Sequence, residues 1–285
     1  MAGDAADCGA PWVLFTLLKE SGTASTTGIY ARRADGSDGH LLALPQAEAS
    51  YPSTTPDGTA LLYAGPSVES LFLYAFAGGT SRPLDTMGKT GFGSVSPDGQ
   101  TVVYGDGNDL WVVGASGSPA QHLLVEASST PSGAAGYPVF EQDSQTVVFA
   151  VGGLVQSIQA GGGGLSTLLT DSAPGTFPNP ALSPDRQQLA AVVSCDGASY
   201  ELRVYPLASL PAPCTAGAVV TTVSSAPPYY DLAWGPTGLL AYSGGDDVFL
   251  VGATGGVPVN LTADLTGVLA SASEPTWAPA CAALP

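Results

Sequence analysis

A four-residue corner, Ser-Pro-Asp-Gly, constrains the fold of this chain more than any other feature. Its clearest copy lies in Ser94–Tyr104, SVSPDGQTVVY, between two short apolar segments. Proline fixes φ at the first turn position, aspartate bonds its own backbone, and glycine adopts the φ that a chain reversal needs. Each copy of this pattern therefore predicts a β-hairpin.

The corner recurs at regular intervals. Its proline, or the residue in its place, stands at six positions separated by 41, 45, 42, 52 and 43 residues: Pro56, Pro97, Gln142, Pro184, Pro236 and Pro279. A period in the forties with about four short strands per unit is typical of β-propeller blades. Glycine and proline interrupt every window long enough for a helix. The sequence therefore predicts an all-β, six-bladed β-propeller with four-stranded antiparallel blades.

The two ends of the chain supply one blade between them. The last copy of the repeat begins at Glu274 and has no strand after it, whereas PWVLFTLL, from Pro11, has no strand before it. We expect the C-terminal strand to pair with the N-terminal strands, so that one composite blade closes the ring without an open sheet edge. The predicted single domain, 1–285, then has blades at 8–47 plus 272–281, 50–88, 91–127, 136–171, 177–224 and 229–264.

The repeat resembles that of the TolB-type six-bladed propellers, which reads x-x-P-x-W-S-P-D-G followed by an apolar strand. The resemblance covers nearly the whole chain and is most specific at Pro56–Gly58, Ser96–Gly99, Ser183–Asp185, Trp234 and Trp277. The match to the repeat is weaker at two corners, Glu141–Ser144 and Gly235–Gly238. We expect no counterpart of the separate N-terminal domain of TolB. A propeller fold alone supports binding, scaffolding and catalysis alike.

The charge balance excludes some classes of partner. The chain has 24 acidic and seven basic residues and a net charge of -17. Without a basic stripe, nucleic acid and anionic membranes are poor partners. No apolar run reaches the roughly 18 residues of a membrane span. The first residues do not form a signal peptide, so if the protein is exported, its leader has been removed. We expect a monomer.

Four cysteines indicate the compartment. Cys281 follows the last corner and Cys8 precedes the strand that should leave it, so a Cys8–Cys281 disulfide would lock the ring. Cys195 and Cys214 flank one strand of the fifth blade and predict a second, local bridge. Four separate buried thiols are the alternative; a metal site is disfavoured, because no Cys-x-x-Cys motif is present. Two bridges imply the periplasm, the cell surface (including as a lipoprotein) or secretion.

Several motifs favour structural roles. His40 and His122 precede Leu-Leu in the outermost strands of two blades, and a third histidine for a metal or Ser-His-Asp centre is lacking. Gly161–Gly164 predicts a hairpin and not a phosphate loop. Asp246-Asp247 and Asp106–Asp109 resemble calcium loops but lack their full spacing, and we interpret both as turns.

The position five residues before each corner gives the most informative set, which we call the ring residues. Around the six blades they are Tyr51, Phe92, Tyr137, Asn179, Asp231 and Glu274. They begin the innermost strands, so all six should face one mouth of the central channel. An aromatic half and an acidic half would suit a cation held by charge and ring stacking. The oxygens of Asp231, Glu274 and Asn179 would suit Ca²⁺. Tyr230, with Tyr229 and Phe177, would enlarge the apolar half. The alternative is that these side chains only fill the narrowing channel and do not form a binding site.

Three residues further along, a second set should pack between blades as core: Thr54, Val95, Phe140, Leu182, Trp234 and Trp277. Three functions remain open. The first is a non-catalytic, exported binding or scaffold propeller that recognises a peptide, protein or small cationic ligand at the channel mouth. The second is a hydrolase or lyase with Ca²⁺ or a similar metal there, and the third is a purely structural or assembly role. We adopt the first, because no nucleophile–base pair is evident.

Overall fold

The computed structural model confirms the six-bladed, all-β propeller. It describes residues 8–21, 24–66, 70–84, 86, 91–105, 109–117, 119–124, 136–151, 153–170, 179–223, 231–265, 270–282 and 284–285. Within these residues six sheets each contain at least four strands, and consecutive strands of a blade pair antiparallel. The helical segments described are two single turns of 3-10 helix, Leu207–Ser209 and Cys214–Ala216.

The first three blades have the following strands. Blade one contains β1 (Trp12–Ser21), β2 (Ala24–Arg33) and β3 (Gly39–Leu41), with the last strand of the chain, β25 (Ala270–Ala278), on its inner side. Blade two contains β4 (Ser50–Thr54), β5 (Ala60–Ala64), β6 (Leu71–Ala75) and β7 (Thr80–Pro83). Blade three contains β8 (Gly93–Val95), β9 (Thr101–Gly105), β10 (Leu110–Gly114) and β11 (Gln121–Leu124).

The other three blades repeat this order. Blade four contains β12 (Gly136–Phe140), β13 (Thr146–Val151), β14 (Leu154–Gln159) and β15 (Ser166–Thr170). Blade five contains β16 (Pro180–Leu182), β17 (Gln188–Val193), β18 (Tyr200–Pro206) and β20 (Ala218–Val223). Blade six contains β21 (Leu232–Trp234), β22 (Leu239–Gly244), β23 (Asp247–Gly252) and β24 (Val259–Asn260).

Hydrogen bonds within each corner explain why the repeat forms tight hairpins. In blade three, Oδ1 of Asp98 accepts from the Ser96 hydroxyl at 2.6 Å and from the Gln100 amide at 3.0 Å. The Ser96 hydroxyl oxygen accepts in turn from the amide of Thr101 at 2.9 Å. The Ser96 hydrogen bond holds the pKa of Asp98 below its ordinary value. The corner aspartate is therefore a turn-forming residue.

The corner of blade four keeps this geometry without proline or glycine. Ser144 takes the left-handed backbone conformation at φ +58°, close to the +72° of Gly99. Oδ1 of Asp143 accepts from the amides of Gln145 and Thr146 at 2.9 and 2.8 Å. The aspartate side chain satisfies the turn amides and thereby offsets the strain of a non-glycine residue at positive φ.

Apolar side chains fill the space between neighbouring blades. The described buried residues form six clusters, and each cluster joins strands of two adjacent blades. Strand β1 shows the principle: Trp12 and Leu14 pack toward blade two, whereas Val13 and Phe15 pack toward blade six. Successive residues of a strand point to opposite faces, so one apolar run fills two interfaces. The ring is thus stabilised blade by blade.

The ring closes as predicted. Strand β25 pairs antiparallel with β1 from Trp12↔Ala278 to Lys19↔Ala270, with one bulge. Cys8 and Cys281 form a disulfide with their Cα atoms 5.1 Å apart. The guanidinium of Arg33 stacks 3.7 Å over the Trp12 ring and donates to backbone carbonyls from both ends of the chain, those of Ala10 and Ala280. Strand pairing, a disulfide and a cationic side chain therefore act together at the closure.

The segment between β18 and β20 departs from the simple repeat. After the first 3-10 turn, β19 (Ala212–Pro213) pairs in parallel with β15 and adds a fifth strand to the outer edge of blade four. Cys214 then bonds to Cys195, as predicted, with 5.8 Å between Cα atoms. The described residues contain no helix with the length and apolar character to cross a bilayer.

Candidate binding site in the central channel

The innermost strands of all six blades surround one cavity. Its volume is about 490 Å³, within the range of small-molecule pockets. All six ring residues line it, as do the corner residues at the other end of the same strands. The structure thus brings together Tyr51, Phe92, Tyr137, Asn179, Asp231 and Glu274, which are far apart in the sequence.

Local backbone distortion directs three of the ring residues. Tyr51, Tyr137 and Glu274 have φ of +54°, +54° and +59°. Each lies where the register of the innermost strand shifts against its neighbour, and each is followed by proline. A β-bulge re-aims a side chain, and non-glycine residues at positive φ are concentrated at functional sites. This distortion supports a functional interpretation of the ring.

The aromatic ring residues form a continuous wall. The ring centroids of Tyr51 and Phe92 lie 4.5 Å apart with their planes at 67°, and those of Phe92 and Tyr137 lie 3.9 Å apart. Edge-to-face and tilted arrangements of this kind are favoured by the ring quadrupoles. The wall lines the cavity across three adjacent blades.

The two acidic ring residues form a chain of hydrogen bonds around the ring. Oδ2 of Asp231 accepts from the backbone amide of Glu274 and from the Ser243 hydroxyl, each at 3.2 Å. Oε2 of Glu274 accepts from the amide of Tyr51 at 2.9 Å and from the Thr16 hydroxyl. Each carboxylate therefore bonds the amide of the next ring residue. One oxygen of each has a structural role at the bulges.

The remaining oxygen of Asp231 is different. Its Oδ1 is buried and makes no hydrogen bond of ordinary length within the described residues, while the whole residue is 7% exposed. A hydrogen bond from the hydroxyl of Tyr137 is among the contacts that lower the pKa of this carboxyl. Asp231 lines the cavity, but its Oδ1 has almost no exposed surface there. The carboxylate therefore acts on a ligand mainly through its charge.

Burial dominates the electrostatics of the ring. It raises the pKa of both Asp231 and Glu274, and the negative charge of Asp231 raises that of Glu274 further. Burial, followed by the charge of Glu274, raises the pKa of Tyr51 to about 12, and burial raises that of Tyr137 higher still. The tyrosine hydroxyls remain protonated donors. A positive charge in the cavity would favour ionisation of both acids.

The ring residues differ in their burial. Asn179 and Asp231 are 1% and 7% exposed, and the other four ring residues are half-buried. Four corner prolines and Gln142, at the other end of the strands, are exposed. The described part of the cavity therefore runs from exposed corners to a partly buried acidic and aromatic end. The hydrogen bonds to strand amides hold the carboxylates away from solvent. The predicted Tyr230, with Tyr229 and Phe177, lies outside the described residues.

The Ca²⁺ hypothesis remains a prediction. Ca²⁺ takes six to eight oxygen ligands, and Asp231 and Glu274 each use one oxygen on a backbone amide. In the part of the chain that the structure describes, no three His, Cys, Asp or Glu side chains cluster as a metal site. With Asn179, the set supplies fewer oxygens than a protein-only calcium site needs.

The other sequence candidates lie away from the ring. His40 is in β3 and packs edge-on to the Trp12 ring at 5.5 Å, and His122 is in β11; both strands are outermost in their blades. Gly161–Gly164 connects β14 to β15, and Asp246-Asp247 lies at the β22–β23 hairpin. Asp106–Asn108 lie outside the described residues. These placements agree with structural roles.

The set predicted as core is divided by the structure. Phe140, Val95, Leu182 and Trp277 are buried, whereas Thr54 and Trp234 are half-buried. The indole nitrogen of Trp277 donates to a carbonyl of the neighbouring blade, that of Ala233, at 3.2 Å. All except Phe140 also line the cavity. The middle of the channel therefore carries apolar side chains beside the hydroxyls of residues such as Thr54 and Ser94.

Sequence reasoning missed Arg186. It occupies the corner position where other blades have glycine, with φ +55°, and lines the exposed part of the cavity. Its Nη1 donates to the carbonyl of Phe140 in the preceding blade. The signal that could have found it is the change from Ser-Pro-Asp-Gly to Ser-Pro-Asp-Arg at this corner.

Solved structures similar to this chain are β-propellers. TolB from Acinetobacter baumannii is 18% identical with a TM-score of 0.73 over 94% of this chain and 67% of that chain. A chain of the nidogen/laminin complex is 12% identical, with a TM-score of 0.63 over 94% and 99%. A gluconolactonase from Xanthomonas campestris is 16% identical, with a TM-score of 0.53 over 75% and 76%. No protein-family model and no curated protein matches the chain. These likenesses confirm the resemblance to TolB at the level of fold.

Proposed function

We propose that this protein is a non-catalytic binding propeller that takes a cationic group of a small molecule, peptide or protein into its central channel. The observation that carries the proposal is that one cavity is lined both by the acidic ring residues, Asp231 and Glu274, and by the aromatic wall. A ligand ammonium would neutralise the acidic end. The adjacent aromatic wall would add cation–π attraction.

The disulfides indicate an oxidising compartment, and we place the protein in the periplasm, at the cell surface or outside the cell. The propeller of the nidogen/laminin complex supports a role in protein recognition, since that structure contains a protein complex. The likeness to a gluconolactonase is the reason to retain a catalytic role as an alternative. The raised pKa values of Asp231 and Glu274 come first from burial, which a binding site explains as well as a catalytic one.

A titration with n-butylammonium, followed by tryptophan fluorescence, tests the proposal. Trp234 and Trp277 line the cavity, so binding there should change their emission. n-Butanol is the uncharged control and should bind at least tenfold more weakly, because charge-assisted hydrogen bonds exceed neutral ones. Asp231→Asn should weaken n-butylammonium binding by about tenfold or more. Asp246→Asn, an exposed carboxylate of the same blade, should change nothing.

Two outcomes would contradict the proposal. Equal responses to n-butylammonium and n-butanol would show that charge is not recognised. Unchanged binding in Asp231→Asn and Glu274→Gln would favour a structural or assembly role for the ring. Native mass spectrometry of the non-reduced protein before and after EDTA addresses the alternative of a Ca²⁺-dependent hydrolase or lyase. One Ca²⁺ lost to the chelator would favour that alternative.

A further inference from the structure

The charged side chains along the cavity are segregated by sign. Asp231 and Glu274 line it at the ring position, and Arg186 is the cationic residue among the described residues that line it. Arg186 lies two residues after the exposed corner Pro184. A ligand in this cavity would therefore meet negative charge at the ring end and positive charge at the corner end.

The guanidinium of Arg186 has more N–H donors than the one that forms a hydrogen bond within the described residues. Nη1 donates to the backbone carbonyl of Phe140. A guanidinium has five N–H donors in a planar fork, which suits bidentate recognition of a carboxylate. Glu141 lies near enough to favour the charged form of Arg186 but forms no ion pair with it within the described residues. The side chain ties blade five to blade four and still offers donors to a ligand.

The spacing of the two charged ends gives the size of the ligand. Five residues separate the ring position from the corner in each blade, and at about 3.3 Å per strand residue this is roughly 16 Å. A free amino acid is too short to reach both ends. An extended peptide of about five residues has the same length, since its rise per residue is also about 3.3 Å.

The rest of the cavity fits such a chain. Between its two ends the wall carries apolar side chains, including those of Ala181, Leu182 and Trp277. At the ring end, two carboxylates and an aromatic wall match one ammonium group better than they match Ca²⁺, which takes six to eight oxygens. Charge, length and polarity therefore agree on one ligand class.

We propose that the channel binds a zwitterionic peptide segment of about five residues, with its free N-terminal amine at Asp231 and Glu274 and a carboxylate at Arg186. The proposal rests on the proposed function and adds the second charge, the length and the direction of the ligand. The N-terminus lies at the ring end and the carboxylate at the corner end, because the acids and Arg186 lie at these two ends.

Equilibrium dialysis against three pools of randomised pentapeptides tests this inference. The pools have free termini, acetylated N-termini or amidated C-termini, and mass spectrometry measures the amount of each retained. We expect acetylation to reduce retention at least tenfold, because it removes the buried charge. Amidation should reduce retention about threefold or more. This effect is smaller because Arg186 lies nearer to solvent, where salt screens part of its attraction to the carboxylate.

Variants assign each end of the peptide. Arg186→Met should abolish the preference for free over amidated C-termini and leave the preference for free N-termini. Asp231→Asn should abolish the preference for free over acetylated N-termini and leave the preference for free C-termini. Arg186→Lys should keep part of the C-terminal preference, and Arg82→Met, an exposed arginine of β7, should change neither. Circular dichroism confirms that each variant is folded before dialysis.

The outcomes separate this inference from the proposed function. Equal retention of the free and amidated pools, or an unchanged C-terminal preference in Arg186→Met, overturns the inference. If n-butylammonium still binds in an Asp231-dependent manner in that case, the proposed function stands alone. Absence of both n-butylammonium and peptide binding overturns both.

Discussion

Replacing Gly58 by alanine tests the packing between the corners of blades one and two. Gly58 has φ +67°, and a Cβ atom there would lie 2.2 Å from Cγ and 2.4 Å from Cδ of Pro279. The proline ring is rigid and belongs to the corner that closes the composite blade. Gly99 is the matched control, because it has φ +72° at the equivalent corner and no atom within 4 Å of such a Cβ.

The two substitutions share one cost and differ in another. A left-handed backbone conformation costs an alanine about 1–2 kcal/mol, offset by about 0.4–1 kcal/mol from the stiffer unfolded chain. Gly99→Ala should therefore lower the free energy of unfolding by about 1 kcal/mol. Overpacking adds about 1–3 kcal/mol. Gly58→Ala should then lower the free energy of unfolding by about 2–4 kcal/mol.

Urea unfolding of both variants, with the disulfides intact and intrinsic fluorescence as the signal, measures the difference. The comparison is between the two variants, so effects of positive φ on the native and unfolded states cancel. Equal losses of stability in Gly58→Ala and Gly99→Ala would refute the reasoning, because the contact between Gly58 and Pro279 would then carry no energy.

Two further predictions concern charge and covalent closure. Burial raises the pKa of Glu274 from 4.5 to about 8, so the folded state holds its proton more tightly than the unfolded state. The contribution of Glu274 to the free energy of unfolding should therefore be complete below about pH 4.5 and be lost as the pH rises toward 8. In urea unfolding at pH 5 and pH 8, Glu274→Gln should reduce the difference in unfolding free energy between the two pH values. Loss of the Cys8–Cys281 bridge, which spans 273 residues, should cost about 5 kcal/mol; loss of the Cys195–Cys214 bridge, which spans 19, should cost about 3 kcal/mol. Equal unfolding free energies of the two double serine variants would contradict the loop-length argument.

The sequence predicted the ring architecture because each blade repeats a local signal. Proline, aspartate and glycine at fixed spacing specify a hairpin without knowledge of distant residues. Once six hairpins are aligned, the position before each corner must face the same axis, so Tyr51 and Asp231 could be assigned to one channel. The disulfide between Cys8 and Cys281 followed from the same alignment.

The features that the sequence did not reveal depend on contacts between distant segments. Strand β19 is only two residues long and pairs with β15 across a blade boundary, so it has no periodic pattern of its own. The bond from Asp231 to the amide of Glu274 joins residues 43 positions apart and depends on a local bulge. These bonds bury the acids, and burial depth cannot be inferred from alignment of the repeats.

A crystal structure grown at neutral pH with n-butylammonium tests the central claim most directly. We expect an ammonium nitrogen beside the carboxylates of Asp231 and Glu274, with the butyl chain against the aromatic wall of Phe92 and Tyr137. A ligand bound elsewhere, or a channel that holds no ligand, would contradict the claim.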